Sequence, residues 1–250
     1  RGLFKSIDAG ATWTRVGFEA SERIHRVLTH PSDPDVVYVG VMGPAWSDGQ
    51  ERGVYRTRDG GESWERVLWQ NERTGVADMV MDPVNPDKIF AAMWEFRREP
   101  WFLTSGGPGS GLFVTHDGGD SWRRVEEDDG FPPGELGRIG VAVSASNPEV
   151  VYALVEATRS ELLRSEDGGR TWETISDAPG VNPRPFYYAD LRVDPRNENR
   201  VYRLHSAIQV SEDQGRSWET VVPSAIIHGD VHELWIDPDD PRTMILGEDG

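Results

Sequence analysis

The sequence predicts an all-β fold, a β-propeller built of four-stranded antiparallel blades or a slice of one. Three observations carry that prediction. An eight-residue motif, [ST]-x-D-x-G-x-[ST]-W, recurs five times. A second, looser motif of strand, Pro-rich turn and strand alternates with it. The 27 Gly and 17 Pro are spread along the 250 residues rather than pooled in one linker, as many short strands joined by turns require.

The first motif reads Ser6-x-Asp8-x-Gly10-x-Thr12-Trp13, then Thr57-x-Asp59-x-Gly61-x-Ser63-Trp64 and Thr115-x-Asp117-x-Gly119-x-Ser121-Trp122. Its last two copies are Ser165-x-Asp167-x-Gly169-x-Thr171-Trp172 and Ser211-x-Asp213-x-Gly215-x-Ser217-Trp218. The copies recur at intervals of about 50 residues, the period of a blade-sized unit. An apolar run precedes each copy and another follows it, so each predicts a hairpin. The carboxylate accepts backbone N–H bonds within the turn, and the Gly takes a backbone angle that a Cβ disfavours. The Trp packs against a neighbouring unit. Asp8, Asp59, Asp117, Asp167 and Asp213 are therefore read as structural staples of their turns, not as catalysts.

The second motif reads Val27-x-x-x-Pro31-x-x-Pro34-x-x-Val37-Tyr38 and Met79-x-x-x-Pro83-x-x-Pro86-x-x-Ile89-Phe90. Looser copies end at Val151-Tyr152, Val201-Tyr202 and Ile245. Two strands from each motif make a four-stranded blade. The chain thus divides into an outer half-blade at 1–17, blades at 24–68, 76–125, 139–175 and 189–222, and an inner half-blade at 231–247. These halves either close one five-bladed ring or mark the chain as a slice of a larger propeller. The abrupt ends favour the slice, with further blades as partners.

Net charge is −17, which argues against nucleic acid, since phosphate binding needs a basic face. Only Lys5 and Lys88 are lysines. There is no Cys, which excludes disulfides, a thiol nucleophile and thiolate metal ligands. No apolar run is long enough for a transmembrane helix, and no signal peptide is visible.

The boxes and their Pro-rich partners resemble the BNR, or Asp-box, propellers, and the resemblance covers essentially the whole chain. That group includes sialidases, glycoside hydrolase family 74 xyloglucanases, the sortilin luminal domain and a photosystem II assembly factor. The chain looks most like bacterial sortilin-like BNR proteins labelled as glycosyl hydrolases, through residues 53–61, 93–101, 105–111, 136–140 and 228–232. The resemblance implies a secreted, periplasmic or envelope location. It specifies fold better than function, because enzymes and receptors share it.

Blade topology places the Pro turns and Asp boxes on one face. The loops between second and third strands, and the blade connections, lie on the other, where ligand sites are expected. The long segment 95–110 reads as a functional loop. The inter-strand loops supply Trp46, Trp94, Arg97, Arg98, Trp101, Glu156 and His205. The connections supply His25, Arg73, Arg138, Tyr187, Tyr188, His228 and His232. Among these, Trp46, Trp94, Arg97, Trp101, Arg138, Tyr187, Tyr188, His228 and His232 are the ligand-binding candidates, suited to a glycan or a peptide. Aligned on the first strand, the blades place Arg26, Asp78, Gly140, Asp190 and Glu233 at one position. Asp78, Asp190, Asp230 and Glu233 are the candidate catalytic carboxylates, since glycoside hydrolysis needs two carboxyls about 5–10 Å apart. The same carboxylates can instead pair with Arg26, Arg73 and Arg138.

A sialidase reading needs an arginine cluster and a Tyr nucleophile, but only Arg138-Ile-Gly echoes the expected Arg-Ile-Pro. The local motifs of family 74 do not align. No cofactor is expected, although His228-x-Asp230-x-His232 offers alternate strand residues to a divalent cation. The leading function is a module binding a peptide or glycan on the loop face; the alternative is a glycoside hydrolase. The four carboxylates discriminate, because locking each to an arginine removes the hydrolase's support in this segment.

Overall fold

Five hairpin turns organise the chain in a computed structural model describing residues 1–250. In each turn both central residues have positive φ, as at Gly60 (70°) and Gly61 (96°), Ala9 (58°) and Gly10 (88°), or Gln214 (70°) and Gly215 (95°). These angles lie in the left-handed region that glycine adopts most readily. The position written as x after each Asp is thus constrained. Three copies fill it with Gly, while Ala9 and Gln214 take the left-handed conformation at some cost.

The Asp holds the turn through one network repeated five times. The Ser63 N–H and hydroxyl donate to the two carboxylate oxygens of Asp59, at 2.9 and 2.5 Å. The Thr57 hydroxyl donates to Asp59 (2.6 Å) and accepts the Gly61 N–H (3.0 Å). The same four bonds recur around Asp8, Asp117, Asp167 and Asp213.

The strands assemble into six sheets. The hairpin β1 (Leu3–Lys5)–β2 (Thr14–Gly17) stands as a two-stranded sheet. Next come β3 (Ile24–Thr29), β4 (Val37–Val41), β5 (Gly53–Thr57) and β6 (Glu65–Leu68), a four-stranded antiparallel meander. The following sheet holds β7 (Thr74–Met81), β8 (Ile89–Arg98), β9 (Leu103–Ser105), β10 (Gly111–Thr115) and β11 (Arg123–Arg124). Two further meanders follow: β12 (Ile139–Val143), β13 (Val151–Val155), β14 (Glu161–Ser165) and β15 (Glu173–Ser176); then β16 (Asp190–Asp194), β17 (Asn197–Leu204), β18 (Ile208–Ser211) and β19 (Glu219–Val222). The hairpin β20 (Val231–Ile236)–β21 (Met244–Glu248) is the last sheet. The expected blade architecture is therefore present, with the fold class read from the repeats.

One expectation needs correction. Segment 95–110 is not an unstructured loop. Glu95 to Arg98 prolong β8, and β9 pairs back on them with Phe96 opposite Ser105 and Arg98 opposite Leu103. β8 therefore pairs β10 along its first half and β9 along its second.

The chain forms two compact units, residues 1–81 with 86–123, and 82–85 with 124–250. In the first unit, Tyr38, Val54, Val76, Ile89, Met93 and Phe113 form a core shared between sheets. The Tyr38 hydroxyl crosses to the Gly118 carbonyl in the next box (2.8 Å), and Trp64 Nε1 donates to the Val16 carbonyl (2.8 Å). In the second unit, Tyr152, Leu154, Leu162, Leu191 and Val201 play the core role, and the Tyr152 hydroxyl reaches the Glu198 carbonyl (2.8 Å). In these two copies the Tyr that ends the second repeat motif thus fastens one blade to the next.

The boxes also set an acid limit. Bonds from the second hydroxyl are the largest cause of the lowered pKa at Asp8, Asp59, Asp117 and Asp213. At Asp167 burial pushes upward, and the bonds from Thr171 and Ser165 outweigh it. Asp8, Asp167 and Asp213 fall from 3.8 to about 2, and Asp59 and Asp117 also lie below the usual range. Between these folded and unfolded values the unfolded chain binds more protons, so their contribution is complete above about pH 4 and fades as pH falls through about 2. Thermal midpoints followed by circular dichroism should drop steadily over that interval, and Asp213→Asn should flatten the slope. A midpoint independent of pH there would rule the linkage out.

Candidate functional site

In the first unit the loop ends of two blades meet around one buried arginine. Arg52, at the end of the β4–β5 connection, is fully buried. Its guanidinium donates to the carbonyls of Met42, Pro44, Ser47 and Arg73. It lies 4.7 Å from the Phe96 ring centroid, and Phe96 stacks on Trp94 at 4.2 Å. Burial, then the nearby Arg97 charge, lowers the Arg52 pKa to about 10. The side chain thus spends its donors shaping the 42–52 loop, which presents Trp46.

Above this floor lies an exposed aromatic surface. Trp46 is 54% exposed and Trp101 77%, with Phe102 and Leu103 beside Trp101 at the tip of the β8–β9 hairpin. The Arg98 guanidinium covers the Trp46 ring at 5.4 Å, and the Arg98 N–H donates to the Ala45 carbonyl. Arg97 donates to the Trp46 carbonyl (2.8 Å) and pairs with Asp48. The extended β8–β9 hairpin and the 42–52 loop are thereby tied into one surface. The structure brings Trp46 and Arg97 together, and Trp101 stands on the hairpin that Arg97 and Arg98 tie to Trp46. Trp94, expected on a loop, is instead in β8 and only 2% exposed, with its Nε1 bonded to the Ser105 hydroxyl (3.0 Å); it supports the surface from below. Trp101-Phe102-Leu103 is an apolar triplet in a polar stretch, so Phe102 was visible in the sequence. Arg52 was not, because nothing in its local sequence marks an arginine whose partners are the carbonyls of Met42, Pro44, Ser47 and Arg73.

In the second unit another cluster forms where the 177–189 connection meets β20. The Arg138 guanidinium donates to the Phe186 and Tyr187 carbonyls (3.2 and 2.8 Å). Arg184, absent from the sequence-based set, lies 4.9 Å from the Tyr187 ring and 5.4 Å from the Tyr188 ring. Tyr188 stacks on His232 at 5.8 Å but is itself buried, so it packs rather than presents a face. Glu156 accepts the Arg138 N–H (2.8 Å), and His205, its pKa lowered by burial, contacts Gln209 (2.9 Å). His232 faces Asp249 at 3.3 Å and Asp230 faces Arg184 at 3.9 Å. No group of three His, Asp or Glu side chains converges to hold a metal ion, so His228, Asp230 and His232 do not form a ligand set.

Each candidate catalytic carboxylate faces an arginine. Asp78 meets Arg26 at 2.8 Å, Asp190 meets Arg138 at 3.6 Å, Asp230 meets Arg184, and Glu233 accepts from Arg192 Nε at 3.0 Å. Three of these pairs tie one first strand, or its lead-in, to the first strand of the next sheet. Arg26, Asp78 and Glu233 each follow a register shift that skips one residue, the local kink that re-aims a side chain. Where the pattern has Gly140 no pair forms, because the next strand's backbone occupies the space.

With this geometry in view, the sequence profile of Sortilin-Vps10 (sortilin, neurotensin receptor 3) matches residues 1–131, more than half of the chain. The chain belongs to the Sortilin-Vps10 family. An oligoxyloglucan-reducing end-specific xyloglucanase of Emericella nidulans is 25% identical over 204 residues, which are 79% of this chain and 23% of that enzyme. The chain therefore spans about a quarter of this curated relative. The GH74 xyloglucanase of Xanthomonas campestris superposes with a TM-score of 0.67 at 20% identity, over 89% of this chain and 36% of that one. YCF48 bound to D1 peptide superposes at 0.60 and 15% identity, over 98% and 69%. These structural likenesses bear on the fold, and they place this Sortilin-Vps10 member among propellers. No helix is long and apolar enough to cross a membrane.

Proposed function

We propose that this chain is a glycan-binding propeller segment of a secreted or envelope protein, with its site on the Trp46–Arg98–Trp101 surface. The observation that carries this reading is the exposure of Trp46 and Trp101, both outside the repeat motifs, on a loop and a hairpin tied together by Arg97 and Arg98. Exposed aromatic surface of this kind marks an interaction site. An indole face suits the C–H face of a pyranose ring, and Arg97, Arg98 and Asp48 offer hydrogen bonds to its hydroxyls. The xyloglucanase names of the curated relatives support a saccharide over a peptide.

The four carboxylates take a structural role in this reading. A carboxylate clamped by a guanidinium is poorly placed to protonate a glycosidic oxygen or to activate water. Binding without cleavage is therefore expected from this segment. Calorimetric titration with xyloglucan oligosaccharides should show binding, weakened about tenfold or more by Trp101→Ala, the scale of one lost aromatic contact. Reducing ends should not accumulate. Their release by the parent chain and loss in Asp78→Asn would overturn the reading in favour of the hydrolase. Peptide capture without any saccharide binding would overturn it in favour of a peptide receptor.

A further inference from the structure

A third exposed tryptophan of the first unit, Trp69, is one for which the repeats give no structural reason. Trp69 stands five residues after the box Trp64. The matching residues in the other copies are Phe18, Glu127, Asp177 and Pro223. Phe18 is buried, edge-on to Tyr55 and Trp64. Trp69 is 45% exposed and belongs to no core cluster. Blade packing thus accounts for an apolar residue in one copy, polar residues or Pro in three, and an open indole in none.

The surroundings of Trp69 mirror those of Trp46. The Arg66 guanidinium covers the Trp69 ring at 5.0 Å, as Arg98 covers Trp46 at 5.4 Å. Arg66 also donates to the Gln50 carbonyl (2.8 Å). The Gln50 amide donates to the Glu72 carboxylate (2.7 Å), and the Gly49 N–H donates to the Glu72 carbonyl (2.8 Å). Asp48, one residue earlier, pairs with Arg97. One loop therefore carries both contacts: its Trp46–Asp48 end is tied to the β8–β9 hairpin, and its Gly49–Gln50 end to Glu72 and to Arg66, which covers Trp69. Trp46 and Gln50 are four residues apart, so their Cα atoms lie within about 14 Å. These contacts connect Trp69, through Arg66 and the 46–50 loop, to Trp46, and through Arg98 to the hairpin that carries Trp101.

We infer that Trp69 and Arg66 form an outer subsite, and that the surface takes an extended polysaccharide chain across several sugar units rather than a single terminal sugar. Rings alternating with hydrogen-bonding side chains match a linear polymer whose sugars each present an apolar face and an edge of hydroxyls. The inference rests on the glycan reading above and adds to it the length of the ligand.

The test is calorimetric titration with linear β-glucan and xyloglucan oligosaccharides of graded length, on the parent chain, Trp69→Ala and Trp69→Phe. Affinity of the parent should rise with length. Trp69→Ala should lose about tenfold for the longest ligand, one aromatic contact's worth, while the shortest ligand binds both chains alike. Trp69→Phe, which keeps a stacking face, should recover most of the loss. Because Trp69 is half-exposed, its truncation leaves the fold in place, and unchanged far-ultraviolet circular dichroism serves as the check. Affinity independent of length, with Trp69→Ala equal to the parent, overturns the extended site while the glycan reading stands. Absence of binding at every length overturns both.

Discussion

Replacing Gly140 with alanine should destabilise the chain by about 3 kcal/mol or more, the upper end of overpacking penalties. Gly140 is the second residue of β12, opposite Leu154 on β13. A Cβ there would lie 1.5 Å from the Ala189 carbonyl oxygen of the next sheet's lead-in. Ala189 is backbone on the threshold of β16, so no side-chain rotamer can relieve the clash. Either β12 or β16 must move, and both carry the second unit's core through Ala142 and Leu191. The control is Gly229→Ala, whose added Cβ would meet nothing closer than 3.7 Å; it should stay within about 0.5 kcal/mol of the parent. Urea unfolding of the three proteins decides the matter. A Gly140→Ala midpoint level with the control would mean that the blades do not approach as closely as described.

The same position shows what the sequence could and could not convey. Alignment of the first strands put Gly140 in register with Asp78, Asp190 and Glu233, and a row of acids invites a catalytic reading. Each acid in the row meets a guanidinium from an adjacent strand or connection, which only the packing of successive sheets reveals. The Asp boxes were legible because their chemistry is local. Asp59, Thr57, Ser63 and Gly61 lie within seven residues and complete one another's bonds. Trp46 and Trp101 were legible as unusual residues outside the repeats, but their joining through Arg97 and Arg98 was not. It depends on β8 running on past Trp94 and pairing β9. Trp94 was misread for the same reason: an aromatic in an expected loop became a strand residue with its indole turned into a stack. The Asp box therefore informs the fold, whereas the surface worth testing lies where the copies diverge.

The second large effect is expected at Arg52. Truncation to alanine should cost about 3 to 5 kcal/mol, from the cavity left by a large buried side chain and from carbonyls stripped of their donor. Four carbonyls depend on this guanidinium, three of them in the 42–47 stretch that presents Trp46. Gly43 reflects the same demand, since a Cβ there would lie 2.6 Å from Arg52 Cγ. No acidic side chain bonds to the group, so its burial is repaid by backbone oxygens and by the Phe96 face. That arrangement requires a fork of donors spread in a plane, which an ammonium does not supply. Arg52→Lys should therefore recover only part of the loss. Arg97→Gln supplies the contrast: it breaks a partly exposed ion pair with Asp48 and should change stability by about 1 kcal/mol or less. Urea unfolding gives the three stabilities. Saccharide titration, below the denaturant range, then reads the loop: Arg52→Lys should bind more weakly than the parent even where both are fully folded. Equal stability of Arg52→Ala and the parent would show that the loop holds itself. Equal affinity of Arg52→Lys would show that Trp46 does not need this support.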